Sequence, residues 1–394
     1  MTQSRNPAHT GAPGQPDARH QPPRLPRRAL LALPGITMAR SALANPLLLD
    51  IRRYVFVPSA ERPIVEVLDS QTGTFISSIP LGAVPTQVVI SRTEAKLAVA
   101  GTETAGIDLV DIGNGSRHRI ELSHRIGRLV LGTSGTVLAA ADHEGGAITL
   151  VDLRSERIIG RLSQVPGLRD MMFGDADKTL YAVGDGWGKI GVFDVATAAL
   201  VAPIAPFRPA PSGIAALART PDGQRILARA SGDGSISVID PARALATGEL
   251  TLAGADAVFP SGTGRFLFAT DSAREKLSVF ASSCMQKPVT LAAGPGLGAV
   301  YSSWLDSVAF LPSAKLRRVL VYDLDNLRQA GALPLAGTPV SGSVTADSRT
   351  LYLALKDPAG LAVIDGQTRD IRATIPLQSH PLAAIVPGGW GICH

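Results

Sequence analysis

The chain has 394 residues, 45% of them apolar and 18% charged, with 40 glycines and 29 prolines. That balance excludes global disorder, and the glycine and proline content favours many short elements joined by turns over long helices. The formal charge of +5 belongs to residues 1–44, where Arg5, Arg19, Arg24, Arg27, Arg28 and Arg40 face Asp17 alone; the remainder balances at 32 basic and 32 acidic residues, so no nucleic-acid partner is expected.

The first element reads as a secretory leader over residues 1–44. Met1 to Arg24 shows no periodicity. Pro26-Arg27-Arg28-Ala29-Leu30-Leu31 then opens a short apolar run, and Ser41-Ala42-Leu43-Ala44 closes it. Paired arginines, a modest apolar run and an Ala-x-Ala end are the parts of a bacterial secretory signal. The Arg-Arg-x-Leu-Leu core resembles a twin-arginine signal, with Pro26 where Ser or Thr is usual. Ordinary secretion and a plain disordered tail are the other readings. The run is interrupted by Pro34 and Gly35 and falls short of the roughly 20 residues a spanning helix needs. The chain from residue 45 is therefore expected to be periplasmic or secreted, with no transmembrane segment.

From there a single unit recurs. Apolar runs end at Asp69, Asp111, Asp152, Asp194, Asp240, Ala281, Asp323 and Asp365, at spacings of 42, 41, 42, 46, 41, 42 and 42 residues. Each unit holds about four short apolar runs between turn residues. In the unit from Pro85 they are Val88–Ile90, Leu97–Ala100, Ile107–Val110 and His118–Leu122. Thr220-Pro221-Asp222-Gly223 and Thr345-Ala346-Asp347-Ser348 supply turn chemistry. A period of 40 to 45 residues with four strands marks an all-β propeller. The first unit starts at Tyr54 without an innermost strand, and His380–Val386 is an innermost strand without a following unit. Pairing the two closes the ring and removes an exposed edge. Eight blades are expected; the unit around Ser302–Leu311 has blurred turns, and reading it as an elaboration would leave seven.

The recurring Ile79-Pro80-Leu81-Gly82 with Pro85, Thr220-Pro221-Asp222-Gly223, Leu351-Tyr352-Leu353-Ala354 and Ile375-Pro376-Leu377 with Pro381 resemble the repeats of YVTN-type bacterial propellers over residues 54–387. The resemblance implies the architecture. It does not imply a particular activity, because such propellers serve as enzymes, subunits and binding scaffolds.

The aspartates that end the runs read as turn caps, since Asp at a strand end accepts backbone N–H bonds from the next turn. Aligning the innermost strands gives a different set, facing the central channel. Two residues after the Pro85-like position stand Gln87, Arg128, Asp170, Ala216, Asp256, Gly298, Ser341 and Ala383, with Arg125, Arg169 and His380 just before it and His124 further out. Arginines and carboxylates at one mouth suit a small polar or anionic ligand, or else a self-neutralising, water-filled funnel. Loops reaching the same face add Glu103, His143, Asp185, Trp187, Arg274 and Lys315. Trp187, framed by Gly184, Gly186 and Gly188, is expected to expose its ring as a contact, or to cap a blade.

Cys284 and Cys393 are the only cysteines, and a disulfide between them is one possibility in an oxidising compartment. Cys393 and His394 beside the chain end are weak candidates for a soft metal or for tethering a partner, against a frayed tail. There is no Cys-x-x-Cys-His haem attachment motif, zinc-like spacing, nucleophile elbow, P-loop or Rossmann fingerprint, and no cofactor is evident. The expected function is a periplasmic binding or scaffold propeller that recognises a small polar ligand or a partner protein on its channel face. The alternative is a redox enzyme or subunit, resembling the amine dehydrogenase heavy subunit or the nitrite reductase haem domain. A lactonase-like hydrolase built on Asp170, Asp256 and His380 ranks third.

Overall fold

The computed structural model describes residues 50–101, 105–142, 146–162, 165–220, 222–250, 252 and 254–390. The leader, Glu103, His143, Cys393 and His394 lie outside them, and so does the proposed Cys284–Cys393 disulfide. Eight antiparallel sheets follow one another along the chain, as the 42-residue beat demands. The first has three strands, β1 (Tyr54–Pro58), β2 (Ile64–Asp69) and β3 (Phe75–Pro80). Blade two holds β4 (Pro85–Ser91), β5 (Lys96–Gly101), β6 (Ile107–Asp111) and β7 (Arg117–Ile120). Blade three holds β8 (Ile126–Leu131), β9 (Val137–Asp142), β10 (Ile148–Asp152) and β11 (Arg157–Leu162). Blade four is β12 (Leu168–Phe173), β13 (Thr179–Gly184), β14 (Trp187–Asp194) and the short β15 (Ala199–Leu200). Blade five is β16 (Ile214–Arg219), β17 (Ile226–Ala230), β18 (Ile236–Asp240) and β19 (Leu245–Leu250). Blade six is β20 (Ala257–Pro260), β21 (Phe266–Asp271), β22 (Lys276–Ala281) and β23 (Cys284–Ala292). Blade seven is β24 (Tyr301–Ser303), β25 (Val308–Ser313), β26 (Arg318–Asp323) and β27 (Arg328–Pro334). Blade eight is β28 (Thr338–Val344), β29 (Thr350–Lys356), β30 (Gly360–Asp365) and β31 (Ile371–Pro376).

The missing strand of blade one comes from the far end of the chain. Phe56 and Ile385 exchange both backbone hydrogen bonds at 2.9 Å, and Leu382 N–H donates to Pro58 O at 2.7 Å. The ring is an eight-bladed propeller closed by its two ends. The blurred unit is a complete blade. Its first turn carries no glycine or proline even though Trp304, Leu305 and Asp306 all take the left-handed conformation, with φ of 48°, 55° and 60°. Asp306 holds that turn by accepting from Ser261 Oγ at 2.6 Å and Thr263 Oγ1 at 2.5 Å in the preceding blade.

Burial follows position within the blade. The middle strands are closed off, as in β5 and β9, whereas outer strands such as β27 and β31 face solvent along most of their length. The apolar core is accordingly a ring of interfaces between blades. Val55, Val57 and Leu68 of blade one pack on Tyr352, Ala354 and Leu361 of blade eight, so the closure is hydrophobic as well as hydrogen-bonded. The aspartates that end the third strands cap their turns. Asp69 Oδ1 accepts from Gln71 N at 2.8 Å, Asp111 Oδ1 from Gly113 N at 2.9 Å, and Asp365 Oδ1 from Thr368 N at 2.6 Å. Among the described residues no helix is long and apolar enough to cross a membrane.

Candidate functional site

In an antiparallel blade the hairpins joining strands one to two and three to four share one face of the ring, here the lower face. The loops joining strands two to three share the other, upper face with the connections into each innermost strand. The pairing of innermost and second strands is irregular at one repeated place: between Pro85 and Gln87, Ile126 and Arg128, Leu168 and Asp170, and Ile214 and Ala216. A bulge at that step re-aims the residue that follows it. It is the aligned channel position of blades two to five.

Three of those residues link neighbouring blades. Gln87 Nε2 donates to Gly127 O at 2.6 Å, and Leu129 N donates to Gln87 Oε1 at 2.6 Å, so one amide pairs with the next innermost strand much as a backbone would. Asp170 accepts from its own Met171 N and, through Oδ2, from Leu217 N of the next blade, both at 2.8 Å. Arg128 Nη2 lies 2.6 Å from Asp170 Oδ1. The links run β4 to β8 to β12 to β16. Asp170 is 6% exposed, and burial pushes its carboxyl above the usual aspartate range against the opposing pull of Arg128 and the two N–H donors.

The other sequence candidates divide. Arg169 is ion-paired to Asp185, which Ser231 Oγ also reaches at 3.1 Å; the hydrogen bond from Arg169 holds Asp185 below the usual carboxylate range. His380 stands between two acids, Nδ1 at 2.6 Å from Glu61 Oε1 and Nε2 at 3.4 Å from Asp357 Oδ1, and its hydrogen bond lowers the pKa of Glu61. Asp256 is exposed and accepts from Ser272 N, while Ser341 is half-buried in the irregular part of β28. Trp187 does not stand out into solvent. It is half-buried, packed on the core shared by blades three and four, and lies over Gly191, where an added side-chain carbon would come within 2.5 Å of the ring. Of its flanking glycines, Gly184 and Gly188 lie close against backbone, at 2.1 Å from Pro166 O and 2.6 Å from Ala210 O for an added side-chain carbon, whereas Gly186 has open space and a φ of 67°.

Two groups are left with unused capacity. Arg125 is exposed and makes no ion pair among the described residues. His124 has Nδ1 at 3.3 Å from Ser123 Oγ, and its Nε2 is enclosed without a hydrogen-bond partner. A third such group escaped the sequence alignment because it sits on a second strand. Arg229 of β17 pairs with Ala216, where β5, β9 and β13 carry Ala100, Ala141 and Val183 opposite Gln87, Arg128 and Asp170. The small Ala216 makes room for it. Its Nε is enclosed with no partner, and Nη1 has only a long contact of 3.4 Å to Ala255 O. Burial pulls its pKa below the usual guanidinium value, opposed by Asp256 and Asp170. Aligning second strands as well as first would have exposed this exception. Among the described residues no three His, Cys, Asp or Glu side chains gather as a metal-binding set.

The lower mouth is crossed by the chain beyond the closing strand. Trp390 exchanges backbone hydrogen bonds of 2.8 and 3.0 Å with Val344 on the edge of β28 away from β29, and its indole N–H donates to Ser302 O at 2.8 Å. The ring rests on Gly262, where an added side-chain carbon would sit 2.2 Å from it.

No family model matches this chain and no curated protein matches it. Solved structures share the fold. Dihydro-heme d1 dehydrogenase NirN in complex with DHE is 15% identical over 86% of this chain and 76% of that one, with a TM-score of 0.73. Apo AztD from Citrobacter koseri is 11% identical over 86% and 98%, with a TM-score of 0.63. Hydrazine synthase of Kuenenia stuttgartiensis is 14% identical over 71% and 95%, with a TM-score of 0.55. At these identities the likeness is one of fold.

Proposed function

We propose that the chain is an exported binding propeller that holds a small monoanion, a carboxylate, at the upper mouth of its channel, with Arg229 as the principal contact. The observation that carries this reading is the Arg229 guanidinium, half-buried, with an enclosed Nε and no ion pair within 4 Å among the described residues. A planar fork with spare donors suits bidentate capture of a carboxylate, and partial burial strengthens the contact relative to water. Asp256 nearby limits the positive potential, which favours one negative charge over several. His124 Nε2 and Arg125 supply further polar contacts, and the Trp390 tail leaves the upper face as the route of entry. Export rests on the Arg27-Arg28 leader. Kinship with YVTN-type propellers belongs to the same proposal and rests on the Ile-Pro-Leu-Gly and Pro-Asp-Gly segments.

The test is calorimetric titration of the purified protein with acetate, pyruvate and benzoate, repeated on Arg229→Gln. At least one carboxylate should bind, and the variant should weaken it about tenfold or more, as expected for losing charge-assisted hydrogen bonds. Binding that survives Arg229→Gln would remove the site, and a visible chromophore in the protein as isolated would replace this reading with the redox one.

A further inference from the structure

On the upper face the closing segment enters blade one at His380, and its imidazole stands between acids from two blades. Nδ1 lies 2.6 Å from Glu61 Oε1, on the loop between β1 and β2 of blade one. Nε2 lies 3.4 Å from Asp357 Oδ1, on the loop between β29 and β30 of blade eight. One side chain thus reaches from the closing segment to the blade it completes and to the blade it follows. The backbone on either side is paired with blade one, Ala60 N donating to His380 O at 2.8 Å and Leu382 N to Pro58 O at 2.7 Å.

A neutral imidazole has one N–H and one acceptor nitrogen, whereas an ionised carboxylate only accepts. Facing two carboxylates, the neutral ring donates to one and turns a lone pair toward the other. The imidazolium donates to both. Among the described residues His380 is the only ion-pair partner of Glu61 and of Asp357. The other charges nearby are engaged elsewhere or stand in solvent. Glu66 accepts from Gln378 N and Ser379 Oγ, each at 3.2 Å, and Arg317 Nη2 donates to the backbone oxygen of Asp357 at 2.6 Å. Arg62 and Lys356, next to the two acids in sequence, are exposed.

We infer that His380 is a pH-sensitive latch on the upper face, tying the closing segment to blade one when neutral and to blade eight as well when protonated. The second tie is present on the acid side and is lost as rising pH removes the proton. The hydrogen bond from His380 holds Glu61 below the usual carboxylate range, so this partner stays charged while the imidazole titrates.

Amide hydrogen exchange of the full chain at about pH 5 and about pH 8 tests the latch, read as protection factors so that the intrinsic pH dependence of exchange cancels. Protection at the Ala60 and Leu382 amides should be about twofold to fivefold higher at the lower pH, the range an exposed ion pair supplies. His380→Gln should abolish the difference. Asp357→Asn should also flatten it, because an amide side chain can donate to the neutral ring as well as accept from the charged one. Both substitutions fall outside the core, on side chains 42% and 65% exposed. A difference that survives His380→Gln would overturn the latch, and one that survives Asp357→Asn would overturn its reach to blade eight. Equal protection at the two pH values in the native protein would overturn both.

Discussion

Single residues decide how far the channel can be read as a ligand site. Gln87 and Asp170 occupy the positions that alignment picks out, yet their polar atoms join one blade to the next. Asp170 has a measurable consequence. Burial raises its folded pKa above the ordinary 3.8, so the stability it contributes is fully present below that value and declines as pH climbs through the raised one. Asn at this position lacks the titration. The stability of the native protein relative to Asp170→Asn should therefore fall as pH rises from the acid range through the raised pKa. Urea unfolding midpoints at several pH values report it, and a difference that is flat or grows with pH would sink the argument. The alignment could find these residues because strand spacing is periodic. It could not show their direction, because a bulge between Leu168 and Asp170 leaves no mark in composition. Arg229 was hidden for a related reason: its freedom follows from the size of Ala216 on the neighbouring strand.

At the scale of elements, the most legible feature was the closing strand, since an orphan start and an orphan end can be counted. What locks it was not legible. Glu66 of β2 is 2% exposed, and its carboxylate accepts from Gln378 N and Ser379 Oγ, each at 3.2 Å, as the chain enters the closing segment. These partners are 312 and 313 residues away in sequence, and no local pattern couples them. Replacing Glu66 by Ala removes the shared acceptor and strands two donors, at a cost of about 2 kcal/mol. The variant should lower the urea midpoint well beyond an exposed control such as Gln71→Ala. Equal midpoints would mean that the closure relies on the apolar contacts of Val55, Val57 and Leu68 alone. The turn at Trp304–Asp306 makes the complementary point. A left-handed turn without glycine reads as noise in sequence, and it exists because Asp306 is tied to the blade before it.

At the scale of the molecule, the ring has two mouths that are not equivalent. Each blade buries its middle strands against its neighbours, so opening the ring anywhere exposes apolar surface on both sides of the break. The closing strand bears that risk alone, being the only place where the chain is not continuous within a blade. The tail beyond it spreads the load. After Ile385 the chain turns at Gly388, with φ of 78°, and Trp390 binds β28 through its backbone and β24 through its indole N–H. One residue thereby ties the closing segment of blade one to blades eight and seven across the lower mouth. Trp390→Ala removes the indole bond and the packing on Gly262 while leaving the backbone pair possible, and truncation after Val386 removes all of it. The point variant should cost about 2 kcal/mol and lower Tm by about 3 °C. The truncation should do more, and hydrogen exchange at the Val344 amide should speed up, because its acceptor is Trp390 O. Protection at Phe310 and Val321 in the middle of blade seven should be unchanged. If the Val344 amide stayed protected after truncation, the tail would be a passenger on the lower face and the ring would hold through its closing strand alone.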